Sequence, residues 1–366
     1  MFRRLLIVNF ISCCCLLLLN GNAIGADVFA VRDVEVKEKA SNEVSAKTKA
    51  LAAGQRKALA ALLKRITLVG EHTRLPRPTD QLVSEMVSDF AVSNEKFGGG
   101  RYHAKLSVRF KPDTVRALLK RLNISFAETA SRPMVVLPVM KQGNTYLLWD
   151  EPNSWFDLWA ELVSPDGLLP LMVPLRELSD VSIITAEQAL AGHLTRLRGI
   201  ARKYNTRGVV VPLVEFTAKK TKNVLRAEIK LITFEATGHV KRTASAYESQ
   251  PGMPAAEFHK QVGLALIQQL QEDWKRANLL TGGNMNSLTA LIPLTKLTEW
   301  LYIKEQLQKV ATIKHIGMKR MSVRETEISI LFQGDAGQLR VALAQNGLNL
   351  SQSAEQSVWM LQRINR

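Results

Sequence analysis

The fold class follows from the apolar run Met134-Val135-Val136-Leu137-Pro138-Val139-Met140. A strand that is covered on both faces has this nearly unbroken apolar composition, whereas a strand with one wet face alternates apolar and polar residues. A second run of this kind occupies 168–173. Between the two runs, Asn153 or Ser154 can cap a helix. This order of strand, helix and strand predicts a parallel α/β unit.

The predicted unit extends over residues 131–280. We expect further helices over 185–204 and 254–277, and two long strands over 209–216 and 224–234. The first of these helices begins at Thr185, with Gln188 placed for a capping box.

Residues 26–130 predict an N-terminal α+β module. The expected elements are a strand over 28–36, a helix over 44–66, a second helix capped by Thr79 or Asp80, a hairpin of 90–97 and 102–110, and a helix from Pro112 to Leu122. Gly98-Gly99-Gly100 forms the expected hairpin turn. Within the long helix, Gly54 would allow a close neighbour.

Residues 281–366 predict a third module. The expected strands occupy 288–292, 313–321, 325–332 and 356–362, and the expected helices occupy 295–310 and 335–346. This β-α-β-β-α-β order is typical of the split, ferredoxin-like pattern. The whole chain is therefore expected to be a mixed α+β and α/β protein of three small modules that follow an N-terminal address.

The N-terminal segment predicts export. Arg3 and Arg4 precede an apolar run over 5–19, and small residues follow it. These are the parts of a secretory signal peptide over 1–25, cleaved near Gly25 or Ala26, and they predict a periplasmic protein. The alternatives are a retained anchor, or lipidation of one of three consecutive cysteines that lie inside the apolar run at positions 13–15.

The charge balance is strongly basic. The chain has 49 Lys and Arg against 33 Asp and Glu, a net charge of +16, while its 46% hydrophobic and 22% charged residues are ordinary for a folded protein. A basic exported protein is attracted to anionic lipid, glycan or an acidic partner, and no nucleic acid is expected in that compartment. The sharpest basic cluster is Lys219, Lys220 and Lys222, which is either an electrostatic contact or a solvated turn.

Catalytic signatures are missing from the sequence. It contains no nucleophile elbow, phosphate-binding loop or dinucleotide-binding glycine motif, and its six histidines are scattered singly. We therefore expect this protein to be non-enzymatic and to have neither a cofactor nor a metal site. Distant residues could still converge in space, and this leaves an unrecognised hydrolase open.

A tryptophan-rich segment over 148–159 holds half of the six tryptophans. Aromatic rings beside carboxylates can bind a sugar, a peptide or a partner's basic residue. This makes Trp149, Asp150 and Trp155 candidate binding residues. The alternative is structural, because Trp155 and Trp159 are spaced i, i+4 and would form the inner face of a helix.

Several motifs carry a resemblance to a known family. They are Arg132-Pro133 with Val135-Val136-Leu137-Pro138-Val139, Leu148-Trp149-Asp150-Glu151-Pro152-Asn153-Ser154-Trp155 with Trp159, Gly167-Leu168-Leu169-Pro170-Leu171-Met172-Val173-Pro174, and Lys203-Tyr204-Asn205 with Val209-Val210-Val211. Over residues 27–275 the chain resembles the proteobacterial exported family called domain of unknown function 2066. That family often has Asn-Pro-Trp at 153–155 and Gly-Asp at 175–176, where this chain differs.

The resemblance implies a compartment and an architecture, and it implies no activity. A looser likeness at the level of fold connects the chain with accessory proteins of flagella and curli and with the N-terminal domain of TolB. The leading prediction is a non-enzymatic periplasmic adaptor in envelope assembly or maintenance, with an envelope protein as partner. The alternative is a module that binds an anionic ligand such as lipopolysaccharide, phospholipid or a peptidoglycan fragment.

Overall fold

The computed structural model describes residues 27–219, 223–235, 238–279, 285–294, 296–310, 312–322, 324–352 and 358–364. It is 38% helix and 36% strand, arranged around several small sheets. The predicted mixed α/β fold class is therefore confirmed. None of the helices in these ranges combines the length and the hydropathy that a bilayer span requires. The predicted signal peptide lies outside the described residues.

The first sheet has three antiparallel strands in the order β1-β3-β2. The elements are β1 (Ala30–Lys39), α1 (Glu43–Ile66), a 3-10 helix (Val69–Arg74), α2 (Asp80–Met86), β2 (Val87–Gly98), β3 (Arg101–Phe110) and α3 (Pro112–Arg121). The Thr79 side chain accepts from the amide of Leu82 and caps α2. Gly99 and Gly100 take positive φ angles in the turn of the β2–β3 hairpin, as predicted for this turn.

Gly54 allows α1 to approach this sheet closely. A Cβ atom at Gly54 would lie 2.5 Å from Val36 Cγ1 and 2.8 Å from Leu106 Cδ2. Those side chains belong to β1 and β3, and both are buried. The close neighbour expected at Gly54 is thus the sheet itself.

The second sheet contains the predicted parallel unit. Its elements are β4 (Met134–Val136), β5 (Val139–Gln142), β6 (Thr145–Leu147), α4 (Ser154–Leu162), β7 (Leu171–Met172), α5 (Leu178–Ile183), α6 (Ala186–Ala191), α7 (Leu194–Lys203), β8 (Gly208–Lys219), β9 (Val224–Glu235), β10 (Val240–Glu248) and α8 (Ala255–Ala277). The main path runs β10-β9-β8-β4-β7, and β4 is parallel to both of its neighbours. One hydrophobic cluster with α4 and α8 covers one face, and a second cluster with α6 and α7 covers the other.

Three local expectations in this unit need correction. The helix expected over 185–204 is two helices, because Gly192 adopts a φ of 77° and ends α6. The strand expected over 168–173 shortens to β7, because Pro170 and Pro174 flank it and neither has an N–H for the ladder. The strand expected over 134–140 is divided into β4 and β5, because Pro138 between them has no N–H for the ladder. Neither β6 nor α5 was expected.

The third sheet has the order β12-β13-β11-β15-β14. Its elements are β11 (Met285–Pro293), α9 (Leu297–Gln308), β12 (Ile313–Met321), β13 (Glu325–Gln333), α10 (Ala336–Gln345), β14 (Leu348–Gln352) and β15 (Trp359–Arg363). The expected order is extended by β14, which pairs with β15 at the outer edge. Because β15 lies parallel to β11, this sheet differs from the all-antiparallel ferredoxin-like arrangement.

Candidate functional site

Two chain segments meet at one edge of the second sheet. Leu147 pairs with Met140, so the residues that follow β6 return to the carboxyl end of β4. Residues 174–184 begin at the carboxyl end of the neighbouring strand β7. Open α/β sheets bind ligands at this edge. We call the surface formed by 149–157 and 174–184 the acidic edge.

Trp149 and Asp150 lie on this surface. The Trp149 indole is half-buried, and its Nε1 donates to the carbonyl of Ile184 at 2.7 Å. Its ring centroid is 6.0 Å from that of Phe156. Asp150 is exposed. The structure therefore joins Trp149 to the second segment, which the sequence did not connect with it, and leaves Asp150 exposed beside it.

Trp155 is a core residue, and its candidate binding role is wrong. Its side chain is 0% exposed, and Nε1 donates to the carbonyl of Pro212 at 3.0 Å. The ring packs edge to face against Trp159 and Phe216. With its polar atom bonded and both faces covered, Trp155 has no surface to offer a ligand.

The loop before α4 is held by Asn153. This buried side chain accepts from the amide of Phe156 at 3.1 Å and donates to the carbonyl of Leu148 at 3.3 Å. The first bond is the predicted N-cap, and the second joins the helix start to the strand side of the loop. The Glu151–Pro152 peptide bond in this loop is cis.

Arg176 fastens the two segments of the acidic edge to each other. Its guanidinium lies 3.8 Å above the Phe156 ring centroid, and Nη1 is 2.9 Å from Asp157 Oδ1 and 3.5 Å from Glu151 Oε1. The backbone φ of Arg176 is 60°, a conformation that costs a non-glycine residue about 1 kcal/mol. The stacking and the ion pairs oppose that cost, whereas Arg176 Nε and Nη2 are buried with no hydrogen-bond partner among the described residues.

Asp180 lies in the short helix α5 and bonds it to residues at the end of α7. Its carboxylate is 0% exposed and accepts from Tyr204 Oη at 2.9 Å, from Lys203 Nζ at 2.5 Å and from the amide of Glu177 at 3.0 Å. The hydrogen bonds that Lys203 donates to Asp180 and Glu177 raise its pKa. Burial raises the pKa of Tyr204, the hydrogen bond from the Leu175 amide opposes this rise, and the hydrogen bond to Asp180 adds to it. This cluster fixes α5 against α7.

Large apolar side chains stand exposed on that fixed support. Leu175 is 74% exposed, Leu178 is 89% exposed and Val181 is 42% exposed. The two segments of the acidic edge carry five acidic residues against one basic residue, Arg176, in a chain whose net charge is +16. The arrangement suits an apolar partner surface that is flanked by cations.

Sequence reasoning missed Leu175, Arg176 and Leu178. The available signals were two leucines spaced i, i+3 directly after the Val-Pro end of a strand, and the departure of 175–176 from the family pattern. Neither signal tells an exposed leucine from a buried one.

The predicted lysine cluster is only partly visible. Lys219 is the last residue of β8, whereas Lys220 and Lys222 lie outside the described residues. Their role as an electrostatic contact stays a prediction.

Titratable groups elsewhere do not assemble into a metal site within the described ranges. No group of three or more His, Cys, Asp and Glu residues there could hold a metal ion. His259 is stacked on Phe216 with ring centroids 3.7 Å apart, and burial lowers its pKa.

Comparisons with known proteins leave the family open. No family model matches the chain, and no curated protein matches it. Among solved structures, a dodecamer of a PelC point variant from Paraburkholderia phytofirmans matches with 13% identity and a TM-score of 0.27, covering 40% of this chain and 93% of that one. A protein described as uncharacterized matches with 8% identity and a TM-score of 0.15, covering 41% and 94%. These TM-scores are too low to support an argument.

Proposed function

We propose that this protein is a non-enzymatic adaptor of the bacterial cell envelope, working in the periplasm, that binds a protein partner through the acidic edge. The exposed Leu175 and Leu178 on a firmly held support are the observation that carries the proposal. The signal-peptide pattern and the resemblance to the exported family support the compartment.

The energetics favour these leucines as anchors. Removing a leucine side chain from water contributes about 1.5–3 kcal/mol. Association normally loses part of such a gain when mobile groups become ordered. Here Asp180, Lys203 and Tyr204 already hold the helix that carries Leu178. Little further ordering is needed when a partner binds.

The charge of the acidic edge selects the kind of partner. Exposed carboxylates such as Asp150, Glu151 and Glu177 repel phosphate and lipid headgroups, although the chain as a whole is basic. They attract Lys and Arg side chains, and such attraction speeds association and orients the partner. The expected partner segment therefore presents apolar side chains flanked by basic ones.

The proposal is tested by capture of envelope proteins on the tagged mature chain at low and at high salt. The test variant is Leu175→Ser with Leu178→Ser, and the matched control is Val44→Ser on α1, where the valine is 78% exposed. We expect one protein that is retained at high salt by wild type and control and is lost by the test variant. A captured set that is identical for all three proteins overturns the proposal, and so does a wild type that retains no protein.

A further inference from the structure

A cleft of about 410 Å³ lies between the helix α9 and β12, an edge strand of the third sheet. None of its lining residues belongs to the acidic edge. Small-molecule sites occupy volumes of about 300–1,000 Å³, so the cleft is large enough for one ligand of modest size. Its lining residues come from the helix and from the strand at the edge of the sheet.

One part of the lining is apolar. Leu307 is 0% exposed and Trp300 is 6% exposed, and both belong to the core of this sheet. Ile316 is half-buried, and Met318, at the lip, is 52% exposed. The floor is therefore held by the core, while the lip is free to adapt, as methionine readily does.

The other part of the lining is cationic. Lys304, Lys314 and His315 line the cleft, and none of its lining residues is Asp or Glu. Partial burial lowers the pKa of Lys314, and the nearby cations Arg116 and Lys120 of α3 lower it further. Glu128 and Asp113 oppose this effect. An anion in the cleft would stabilise the charged form of Lys314.

We propose that this cleft binds a single-chain anionic amphiphile. Its apolar tail lies against Trp300, Leu307 and Met318, and its carboxylate or phosphate head group meets Lys304, Lys314 and His315. The proposal goes beyond the adaptor function and does not depend on the acidic edge. A fatty acid and a phosphate-bearing lipid share this chemistry.

Calorimetric titration of the mature chain tests the ligand class. The probes are dodecanoate and dodecyl phosphate below their micelle concentrations, the neutral dodecyl maltoside, and inorganic phosphate. We expect one-to-one binding of both anionic amphiphiles, with the tighter one indicating the source, at least about tenfold weaker binding of the maltoside, and no binding of phosphate. Equal binding of the neutral and anionic amphiphiles overturns the proposal, as does binding of phosphate alone.

Variants locate the site. Lys304→Gln and Lys314→Gln change exposed lysines, and each is expected to weaken dodecanoate binding about tenfold. The control is Lys319→Gln on the same strand, outside the cleft lining, where Nζ donates to Thr289 Oγ1 at 2.7 Å. Binding that is unchanged in both test variants, or equally weakened in the control, contradicts the proposed site. Circular dichroism confirms that each variant is folded.

Discussion

The hydroxyl of Tyr204 donates to the carboxylate of Asp180 at 2.9 Å, and that carboxylate is wholly removed from solvent. Tyr204 is the C-cap of α7, and Asp180 lies in α5. The same hydroxyl accepts from the amide of Leu175 at 3.0 Å. Tyr204 therefore positions both exposed leucines. It bonds the backbone of Leu175 directly, and through Asp180 it holds α5, which carries Leu178.

Asp180→Asn is expected to lower the free energy of unfolding by about 3 kcal/mol. The new side chain keeps only one oxygen, so its NH2 group would face one or more of the donors that now bond to Asp180, and the Lys203 ammonium would keep only the exposed Glu177 as its anionic partner. Tyr204→Phe removes one neutral donor to that carboxylate but leaves the Lys203 ion pair in place, so it should cost less, about 1.5 kcal/mol. Urea unfolding of the variants measures both values. Equal costs would show that the carboxylate charge has no part in the support.

Ionisation of the buried Tyr102 hydroxyl is expected to destabilise the folded protein at high pH. Tyr102 is buried, and its hydroxyl donates to Glu95 Oε1 at 2.9 Å. Burial, and then the bond to Glu95, raise the pKa of Tyr102 from 10.0 to about 12. Because the folded state holds this proton more tightly, the contribution is complete below pH 10 and is lost as the pH rises towards 12.

Thermal unfolding of wild type and Tyr102→Phe across this pH range measures the effect. The difference between the two proteins is expected to shrink or reverse from pH 10 towards 12, because only wild type loses the Tyr102 contribution. Lys203, whose pKa is also raised, titrates in both proteins and cancels in the comparison. A constant difference would contradict the prediction.

Lys275 and Glu272 join the last turn of α8 to the end of α1. Lys275 Nζ donates to the carbonyl of Thr67 at 2.5 Å, and Glu272 Oε2 accepts from the amide of Val69 at 3.1 Å. The paired side chains are only 5% and 10% exposed. Lys275→Met should cost about 3 kcal/mol, because it leaves the Glu272 carboxylate buried without its cation.

The double variant Lys275→Met, Glu272→Met is expected to lose less stability than Lys275→Met alone, since no buried charge remains. Denaturant unfolding of both variants gives the comparison. A double variant that loses more than the single one would show that the charges do not depend on each other.

In Gly54→Ala, the gain in helix propensity and the cost of overpacking the core have opposite effects on stability. Alanine gains about 1 kcal/mol over glycine within a helix, while overpacking a core costs about 1–3 kcal/mol. Because Val36 Cγ1 would lie 2.5 Å from the new Cβ, we expect the overpacking cost to be the larger effect. The free energy of unfolding should fall by about 1 kcal/mol. Gly70→Ala is the control, because nothing lies within 4 Å of its Cβ position. A stabilised Gly54→Ala variant would contradict the close approach.

Features that depend only on residues close together in the sequence could be predicted from it. The apolar run of β4, the Asn153 cap and the turn at Gly99-Gly100 all follow from local chemistry. The break at Gly192 was missed, because glycine within an apparently helical pattern is compatible with either one helix or two.

The candidate site was only half predictable. Periodicity placed Trp155 and Trp159 on one helix face, but it could not show that this face is the core and that Trp149 is the half-exposed member. The exposure of Leu178 depends on which segments pack against α5, and those contacts join residues far apart in the chain. Sequence spacing carries no information about them.

The central claim is that the acidic edge contacts a protein partner. A photo-crosslinking residue at position 178, in cells that produce the protein, tests it most directly. The control is the same residue at position 44, where Val44 is 78% exposed against 89% for Leu178. The account predicts a discrete crosslinked protein from position 178 and none from position 44. No crosslink at 178, or the same products from both positions, would contradict it.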